Sequence, residues 1–251
     1  MEKSFYHANT PEEAMEIYLQ NENELYARIK NNIIKKILGD LYNANSWSYL
    51  KVLEIGGGGG IWTNFFLEKG SDVTCVDISE QILKANEKSH PQARFVLADA
   101  ATLKLDERFD LVFAKDVIEH IKDDERFLRN MDYHLKDSGL IVINTQNSWS
   151  LNYLIQGGYH FLKGDKNWCG WDPTHVRFYN VKSLKRKLKN AGFKPIKWFG
   201  SYYFPYRIIS GRLGINEAIL RPFCFPELLG LYDKILFSII GWGIGVCAGK
   251  N

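Results

Sequence analysis

Apolar residues recur every three or four positions between Ile17 and Ile37, with polar and charged residues on the intervening positions. This spacing is typical of an amphipathic helix. Pro11 fits the first turn of a helix, because its missing N–H has no partner there in any case. The pattern predicts helix over 11–42, with a break near 21–23.

From the second fifth of the chain onward, short β-rich runs alternate with charged, helix-compatible stretches. Strand and helix in alternation indicate βαβ units, hence a doubly wound α/β fold whose mostly parallel sheet has helices on both faces. The runs predicted as strands begin at Lys51, Asp72, Arg94, Phe109 and Gly139.

The alternation stops after the fifth run. Residues 148–175 carry three tryptophans and several glycines, which predicts a long loop or insertion. Residues 181–193 predict a basic amphipathic helix that leads into a strand near 194–199. The segment 201–240 is aromatic and apolar without a clean period, and 244–250 supplies a candidate final strand.

Composition and charge narrow the class of protein. The chain has 251 residues, 45% of them hydrophobic, and only 7 prolines, so it is expected to be globular. Its 32 basic and 29 acidic residues leave a charge of +3, too small to predict nucleic-acid binding. The basic residues of 181–193 alternate with leucines and are therefore interpreted as a solvated helix face.

Targeting signals and cysteine pairs are not recognisable in the sequence. The four cysteines form no CxxC pair, so we expect reduced thiols without a structural zinc. Acidic residues recur through the first twenty positions and interrupt any apolar run there. The longest uncharged stretch, 235–249, contains four glycines and is too short to span a bilayer. These features predict a cytoplasmic protein without a transmembrane segment.

Five consecutive glycines, Gly56–Gly60, directly follow the first predicted strand and precede a helix-compatible stretch. Glycine lets a backbone turn sharply and approach a ligand closely. A dinucleotide fingerprint would need glycine or alanine where Ile61, Trp62 or Thr63 stands, which disfavours a nicotinamide oxidoreductase. A phosphate loop would need a lysine after the glycines, and none follows.

Glu54 followed by alternating glycines resembles the class I S-adenosylmethionine-dependent methyltransferases, and the resemblance continues in order along 50–193. It implies that Asp77 accepts hydrogen bonds from both ribose hydroxyls and that Asp99 lies beside the adenine amino group. The departure is Gln146, where many relatives have proline. The alternative is that the glycines form only a tight turn and the acids only cap helices. The residues that the resemblance assigns to the cofactor are Glu54, Gly56, Gly57, Gly58, Gly60, Asp77, Ile78, Asp99, Ala100 and Lys115.

The resemblance implies a Rossmann-like sheet of about seven strands within a single methyltransferase domain, 1–251. Residues 1–49 would form a helical extension and 50–147 the cofactor-binding core, with 148–175 and 201–240 as the substrate lid. S-adenosylmethionine would be converted to S-adenosylhomocysteine as a small or lipid-like acceptor is methylated, most simply at oxygen. No nucleic-acid partner is expected, and peripheral membrane contact and oligomeric state stay open. The alternatives are a cofactor-binding module without turnover and a methyltransferase for a sugar or nucleic-acid hydroxyl.

Asp116, Glu119 and His120 follow the fourth predicted strand at i, i+3 and i+4, so one helical turn would place them on one face. His175 follows the insertion. The set resembles ubiquinone-pathway O-methyltransferases and small-RNA 2′-O-methyltransferases, in which two acids and two histidines hold a divalent cation, although Asp116 stands where relatives have Glu. Three interpretations stay open: a metal site, a catalytic base or orienting role for His120 and His175, and purely structural histidines.

Overall fold

The computed structural model describes residues 10–251 except 166–167, 169–171, 173, 204–226 and 228. Within these residues a seven-stranded sheet has the order β3-β2-β1-β4-β5-β7-β6. The first five strands pair in parallel, and β7 is antiparallel to both of its neighbours. The strands are β1 (Lys51–Ile55), β2 (Asp72–Asp77), β3 (Arg94–Leu97), β4 (Phe109–Lys115), β5 (Leu135–Gln146), β6 (Phe193–Ser201) and β7 (Gly243–Lys250).

The predicted N-terminal helix is divided into α1 and α2 at Glu24, which confirms the break expected near this point. Side-chain caps fix the starts of several other helices. The Ser79 hydroxyl accepts from the N–H of Ile82 at the start of α4, and Asn180 and Ser183 form a reciprocal capping box at the start of α7. Among the described residues, the helices are α1 (Pro11–Asn23), α2 (Leu25–Leu41), α3 (Ile61–Glu68), α4 (Glu80–Ser89), α5 (Asp124–His134), α6 (Leu151–Leu162), α7 (Val181–Asn190) and α8 (Ile235–Ile240).

Two apolar cores lie on opposite faces of the sheet, because consecutive strand residues face opposite sides. In β4, Phe113 packs with Phe66 of α3 in one core, while its neighbour Val112 belongs to the other. Leu184 and Leu188 of α7 are fully buried in that second core, which confirms their predicted inward orientation. Helices therefore cover both faces, and the predicted doubly wound α/β fold is confirmed.

The sheet order reverses between β1 and β4, since β2 and β3 lie on one side of β1 and the later strands on the other. In doubly wound sheets a crevice opens at this switch point, outside the carboxyl ends of the strands. The glycine run follows β1 directly. The topology therefore brings it to the same crevice as the end of β4.

Two local predictions differ from the structure. The segment 148–175, predicted as a long loop, contains the twelve-residue helix α6, whose first turn is capped by the Ser150 side chain. Strand β5 begins at Leu135 rather than at Gly139, so pairing starts before the expected glycine turn, with a register irregularity opposite it.

Most of the predicted lid segment 201–240 lies outside the described residues. None of the helices described combines the length and apolar character needed to cross a membrane.

Candidate active site

The glycine loop turns through the left-handed region of backbone space. Gly56, Gly58 and Gly60 have φ values of 81°, 47° and 72°. Residues that carry a side chain rarely adopt these values. The Gly57 N–H donates to Asp77 Oδ2 at 2.9 Å. A Cβ on Gly57 would lie 2.6 Å from the Cys75 sulfur. The run therefore needs glycine for its conformation and for its close approach to β2.

A cavity of about 740 Å³ opens above this loop. It is bordered by the ends of β1, β2 and β4, by helices α1 and α2, and by the segment around Thr174. Glu54, Gly57 and Gly60 are predicted cofactor residues that do not line it. The predicted cofactor residues that do line it are Gly56, Gly58, Asp77, Ile78, Asp99, Ala100 and Lys115.

The two acids after β2 and β3 stabilise turns and also face the cavity. Asp77 Oδ1 accepts from the N–H of Ser79 at 2.8 Å, and Asp99 Oδ1 accepts from the N–H of Ala101 at 2.8 Å. Burial raises the pKa of Asp77 above its ordinary value. A carboxylate offers about four acceptor positions. Asp99 therefore keeps acceptor capacity for a ligand's donors, whereas Asp77, which also accepts from the Gly57 N–H, keeps less of it.

Glu54 is buried beneath the loop. The Thr63 hydroxyl donates to its Oε2 at 2.5 Å, whereas Oε1 has no hydrogen-bond partner among the described residues. Burial raises the pKa of Glu54 to about 8. The carboxyl is therefore held in its neutral form up to about neutral pH.

Helix α1 lies directly over the glycine loop. The Tyr18 ring occupies the space into which a Cβ on Gly58 or Gly59 would project. Tyr18 also lines the cavity, and burial raises the pKa of its phenol. The N-terminal helices thus form one side of the site.

Four charged side chains tie these helices to the end of β4. The Lys115 ammonium lies 2.6 Å from the Glu22 carboxylate and 3.3 Å from Asp116, and Lys30 pairs with Asp116 as well. Burial alone would raise the pKa of Asp116, but the charges of Lys30 and Lys115 hold it well below its usual range. Asp116 also adopts a φ of 54°, in the left-handed region. The Lys115 side chain pairs with Glu22 of α1, and the residue also lines the cavity.

Glu119, His120 and His175 come together, with one ligand-type atom of each within 4.8 Å of the others, and the two histidines line the cavity. The two histidine rings lie 4.7 Å apart between centroids. The Thr145 hydroxyl donates to Glu119 Oε2 at 2.8 Å, and no described residue hydrogen-bonds to the buried Oε1. Burial and the nearby charge of Asp116 raise the pKa of Glu119 to about 8.

Asp116 is not part of that cluster, although its sequence spacing placed it on the same helical face. The residues after β4 form a short 3-10 turn, Ile118–His120, instead of an α-helical turn. The left-handed backbone conformation of Asp116 further separates the direction of its side chain from that of the Glu119 side chain. The prediction of a shared face for the three was wrong for this reason.

His120 is held by a residue that the sequence did not single out. The Thr174 hydroxyl oxygen lies 2.8 Å from His120 Nδ1 and 2.6 Å from Asp172 Oδ1. Burial lowers the pKa of His120 below its ordinary value.

Gln146 is the residue that departs from the family pattern. Its amide nitrogen lies 3.5 Å from His175 Nε2.

Sequence reasoning also did not assign site roles to Tyr18, Glu22 and Lys30. A signal existed for Lys30. It stands three residues after Ala27 and four before Ile34, both buried, so its charge interrupts an inward helical stripe. A buried lysine implies an acidic partner, but the sequence does not identify Asp116 as that partner, because 86 residues separate them.

Comparisons with known proteins agree with this geometry. A family model described as a methyltransferase domain matches residues 14–197. The chain is 30% identical to a ubiquinone biosynthesis O-methyltransferase of Rhodopseudomonas palustris over 71% of its own length and 72% of the relative's. It is 31% identical to one from Rickettsia prowazekii, where the match covers 59% of this chain and 57% of the relative, less than two thirds of that protein.

Solved structures show the same fold. An S-adenosylmethionine-dependent methyltransferase from Archaeoglobus fulgidus has a TM-score of 0.60 at 22% identity, covering 93% of this chain and 99% of that one. The magnesium protoporphyrin IX methyltransferase from Synechocystis, solved with bound S-adenosylhomocysteine, has a TM-score of 0.60 at 12% identity, covering 90% and 85%. With the family model matching most of its length, the chain belongs to the class I S-adenosylmethionine-dependent methyltransferases.

Proposed function

We propose that this protein transfers the methyl group of S-adenosylmethionine to a hydroxyl oxygen of a small, lipid-like acceptor. One observation carries the proposal. The glycine loop and the acids after β2 and β3 share a single cavity with the His120–His175 pair, so a donor site and a group able to activate a hydroxyl adjoin each other. The names of the relatives, which are O-methyltransferases, support oxygen as the acceptor atom.

The residues present fit the cofactor. Gly56 and Gly58 line the cavity without a side chain, and Asp77 and Asp99 offer acceptors at its edge. S-adenosylmethionine supplies, when bound, a methyl group on a positively charged sulfur. The chain's part is to align donor and acceptor, because an in-line displacement depends on orientation.

In methyl transfer to a hydroxyl, a carbon–oxygen bond forms while the carbon–sulfur bond breaks and its electron pair stays on sulfur. The hydroxyl proton must also be lost, before or during the transfer. His120 is suited to receive it, because burial lowers its pKa and keeps the ring neutral near pH 7. His175, whose ring lies beside it, would orient the acceptor or share the proton.

A divalent cation is the second candidate for activating the hydroxyl, and the buried Glu119 Oε1 favours it. An oxygen and two imidazoles within 4.8 Å suit a transition metal better than magnesium, which prefers oxygen ligands. Glu119, His120 and His175 would hold such an ion, which would lower the pKa of a bound hydroxyl. Asp116 is left out of this set, since Lys30 and Lys115 occupy its carboxylate.

We further propose that 148–175 and 201–240 cover the site as parts of one domain. Thr174, His175 and Tyr202 line the cavity, which supports this role for the described ends of both segments. Helix α6 exposes Leu154, Phe161 and other apolar side chains. Such a surface suits a lipid-like acceptor that is delivered from a membrane.

The test is methyl transfer to 3,4-dihydroxybenzoate and to a prenylated derivative, followed by mass spectrometry of the product. The matched control is the acceptor with both hydroxyls replaced by hydrogen, which should give no product. Methylation of the phenol at oxygen, with release of S-adenosylhomocysteine, is the expected result. Tight cofactor binding without transfer to any phenol, sugar or RNA hydroxyl would instead indicate a binding module without turnover.

A further inference from the structure

Asn86 of α4 lies beside the glycine loop and is fully buried. Its Nδ2 donates to the Gly58 carbonyl at 2.9 Å and to the Ile82 carbonyl at 3.1 Å. Both partners are carbonyl oxygens, which only accept, so the nitrogen of the amide and not its oxygen must face them. The two hydrogens of Nδ2 therefore join the loop to the first turn of α4.

The oxygen of the same amide is left without a hydrogen bond. Asn86 Oδ1 is buried and has no hydrogen-bond partner among the described residues. It lies beside Gly60, where an added Cβ would come within 2.2 Å of it. A buried oxygen without a partner costs stability. The two bonds of Nδ2 are thus offset in part at Oδ1, so a gain in stability is a weak reason for an amide at this position.

The direction of the Gly58 carbonyl also sets the direction of the next N–H group. The Gly58–Gly59 peptide bond is trans, so its carbonyl oxygen and its N–H point in opposite directions. With the carbonyl on Asn86, the Gly59 N–H points away from α4. Within the part of the chain that the structure describes, the N–H groups of Gly57 and Gly60 have acceptors and that of Gly59 has none. Gly59 is only partly buried, and it follows Gly58, which lines the cavity.

We propose that Asn86 is a positioning residue for the cofactor, which fixes the Gly58–Gly59 peptide so that the Gly59 N–H donates to the carboxylate of S-adenosylmethionine. The sheet order supports this choice of acceptor. The family resemblance implies adenine beside Asp99, after β3, and ribose beside Asp77, after β2. Because β1 is the next strand in the sheet, the remaining amino-acid part of the cofactor falls at the loop after β1. Its carboxylate is the cofactor's anionic group and its strongest acceptor.

Without the Asn86 amide, the Gly58 carbonyl would lose its donor and the Gly59 N–H its fixed direction. The amino-acid part of the cofactor would then bind more weakly, whereas the adenosine part, held after β2 and β3, would bind as before. A hydrogen bond to a charged group changes affinity by roughly ten- to a hundredfold. The proposal concerns the donor site alone, so it does not depend on which hydroxyl is methylated.

The experiment is isothermal calorimetry of the full chain with two ligands. S-adenosylhomocysteine carries the amino-acid part, and methylthioadenosine keeps the adenosine part but has no carboxylate. Asn86→Leu keeps the approximate size of the side chain and removes its donor. It should weaken binding of S-adenosylhomocysteine roughly ten- to a hundredfold and change binding of methylthioadenosine by less than about twofold. Asn86→Ala replaces it if the leucine variant does not fold, which thermal unfolding will show.

Leu188→Ala is the control for lost stability. Leu188 of α7 is fully buried and does not line the cavity. This variant should unfold at a lower temperature, because it leaves a void in the core, yet bind both ligands like the wild type. A merely structural role of Asn86 would give the same pattern as Leu188→Ala or an equal loss of affinity for both ligands.

A second measurement needs no change at Asn86. In protein labelled with ¹⁵N-glycine, the Gly59 amide signal is assigned by its loss in Gly59→Ala. Its proton should move downfield on addition of S-adenosylhomocysteine and much less with methylthioadenosine. A wild-type Gly59 signal that ignores S-adenosylhomocysteine, or an Asn86→Leu protein that does not lose affinity for it selectively, would overturn the proposal. No methyl acceptor is present in either measurement, so a failure to find methyl transfer would count against the proposed function only.

Discussion

The Lys115 ammonium lies 2.6 Å from the Glu22 carboxylate, and this ion pair joins the end of β4 to helix α1. Both side chains are almost fully buried, with 4% and 9% of their surface exposed. Beside them Lys30 of α2 pairs with Asp116. Ion pairs thus join both N-terminal helices to the end of β4, in the middle of the site. The shape of the cavity depends on the packing of these helices against the strand end.

Glu22→Ala should destabilise the protein, because it leaves Lys115 buried with only Asp116 as a counter-charge. Breaking a buried ion pair by removing one partner costs about 3 to 5 kcal/mol, and Asp116 at 3.3 Å would recover part of this. Urea unfolding measures the change. The matched control is Glu80→Ala in the exposed pair with Lys84, which should barely move the midpoint.

Asp77→Ala should weaken binding of S-adenosylhomocysteine by about 1 to 3 kcal/mol, because donors of the ligand lose a charged acceptor. Isothermal calorimetry measures the affinity. Asp106→Ala removes an exposed carboxylate that does not line the cavity and should leave binding unchanged. Equal affinities for wild type and Asp77→Ala would remove Asp77 from the cofactor site.

Gly58→Ala should reduce cofactor affinity at least about tenfold, since φ there is 47° and the added Cβ would overlap the Tyr18 ring. The control is Gly158→Ala in α6, where a Cβ meets nothing within 4 Å. That variant should bind normally and gain roughly 0.5 to 1 kcal/mol of stability from the lower flexibility of its unfolded chain. Normal binding by Gly58→Ala would mean that the loop is only a turn.

The unliganded protein should lose stability as the pH rises from about 5 to 8, in part because of Glu54. Burial raises the pKa of Glu54 from 4.5 to about 8, so in this range the folded state binds more protons than the unfolded state. Glu54→Gln should match wild type near pH 5 and unfold at a higher temperature at pH 8. A gain of ~1 kcal/mol corresponds to about 2 to 4 °C. An equal pH slope in both proteins would show that Glu54 is already ionised when folded.

Chelation should separate the two mechanisms for activating the hydroxyl. If Glu119, His120 and His175 hold a cation, EDTA should abolish methyl transfer, a divalent ion should restore it, and Glu119→Gln should weaken that response at least about tenfold. Asp116→Asn should keep the response, because Asp116 lies outside the cluster. If EDTA has no effect while His120→Ala lowers the rate by about 10² to 10⁴, His120 acts as a base.

Local patterns determined the elements of this fold. The alternation of β-rich and charged stretches predicted the strands and helices between 51 and 146, and the helical spacing before them predicted α1 and α2. The glycine spacing after Glu54 indicated the family that the comparisons confirm. These features depend on residues close together in the chain, so the sequence displays them directly. The start of β5 was misplaced, because pairing with β4 extends it past the local signal at Gly139.

Contacts between distant residues were decided only by the tertiary structure. Lys30 meets Asp116 across 86 positions, and Thr174 meets His120 across 54. The turn after β4 became a 3-10 turn with a left-handed Asp116, which separated that acid from Glu119. A periodic pattern shows which face of a helix is buried but not which partner buries it. The charge network and the orientation of the histidines follow from how the helices dock on the sheet, because burial makes each charge and each hydrogen bond depend on its particular partner.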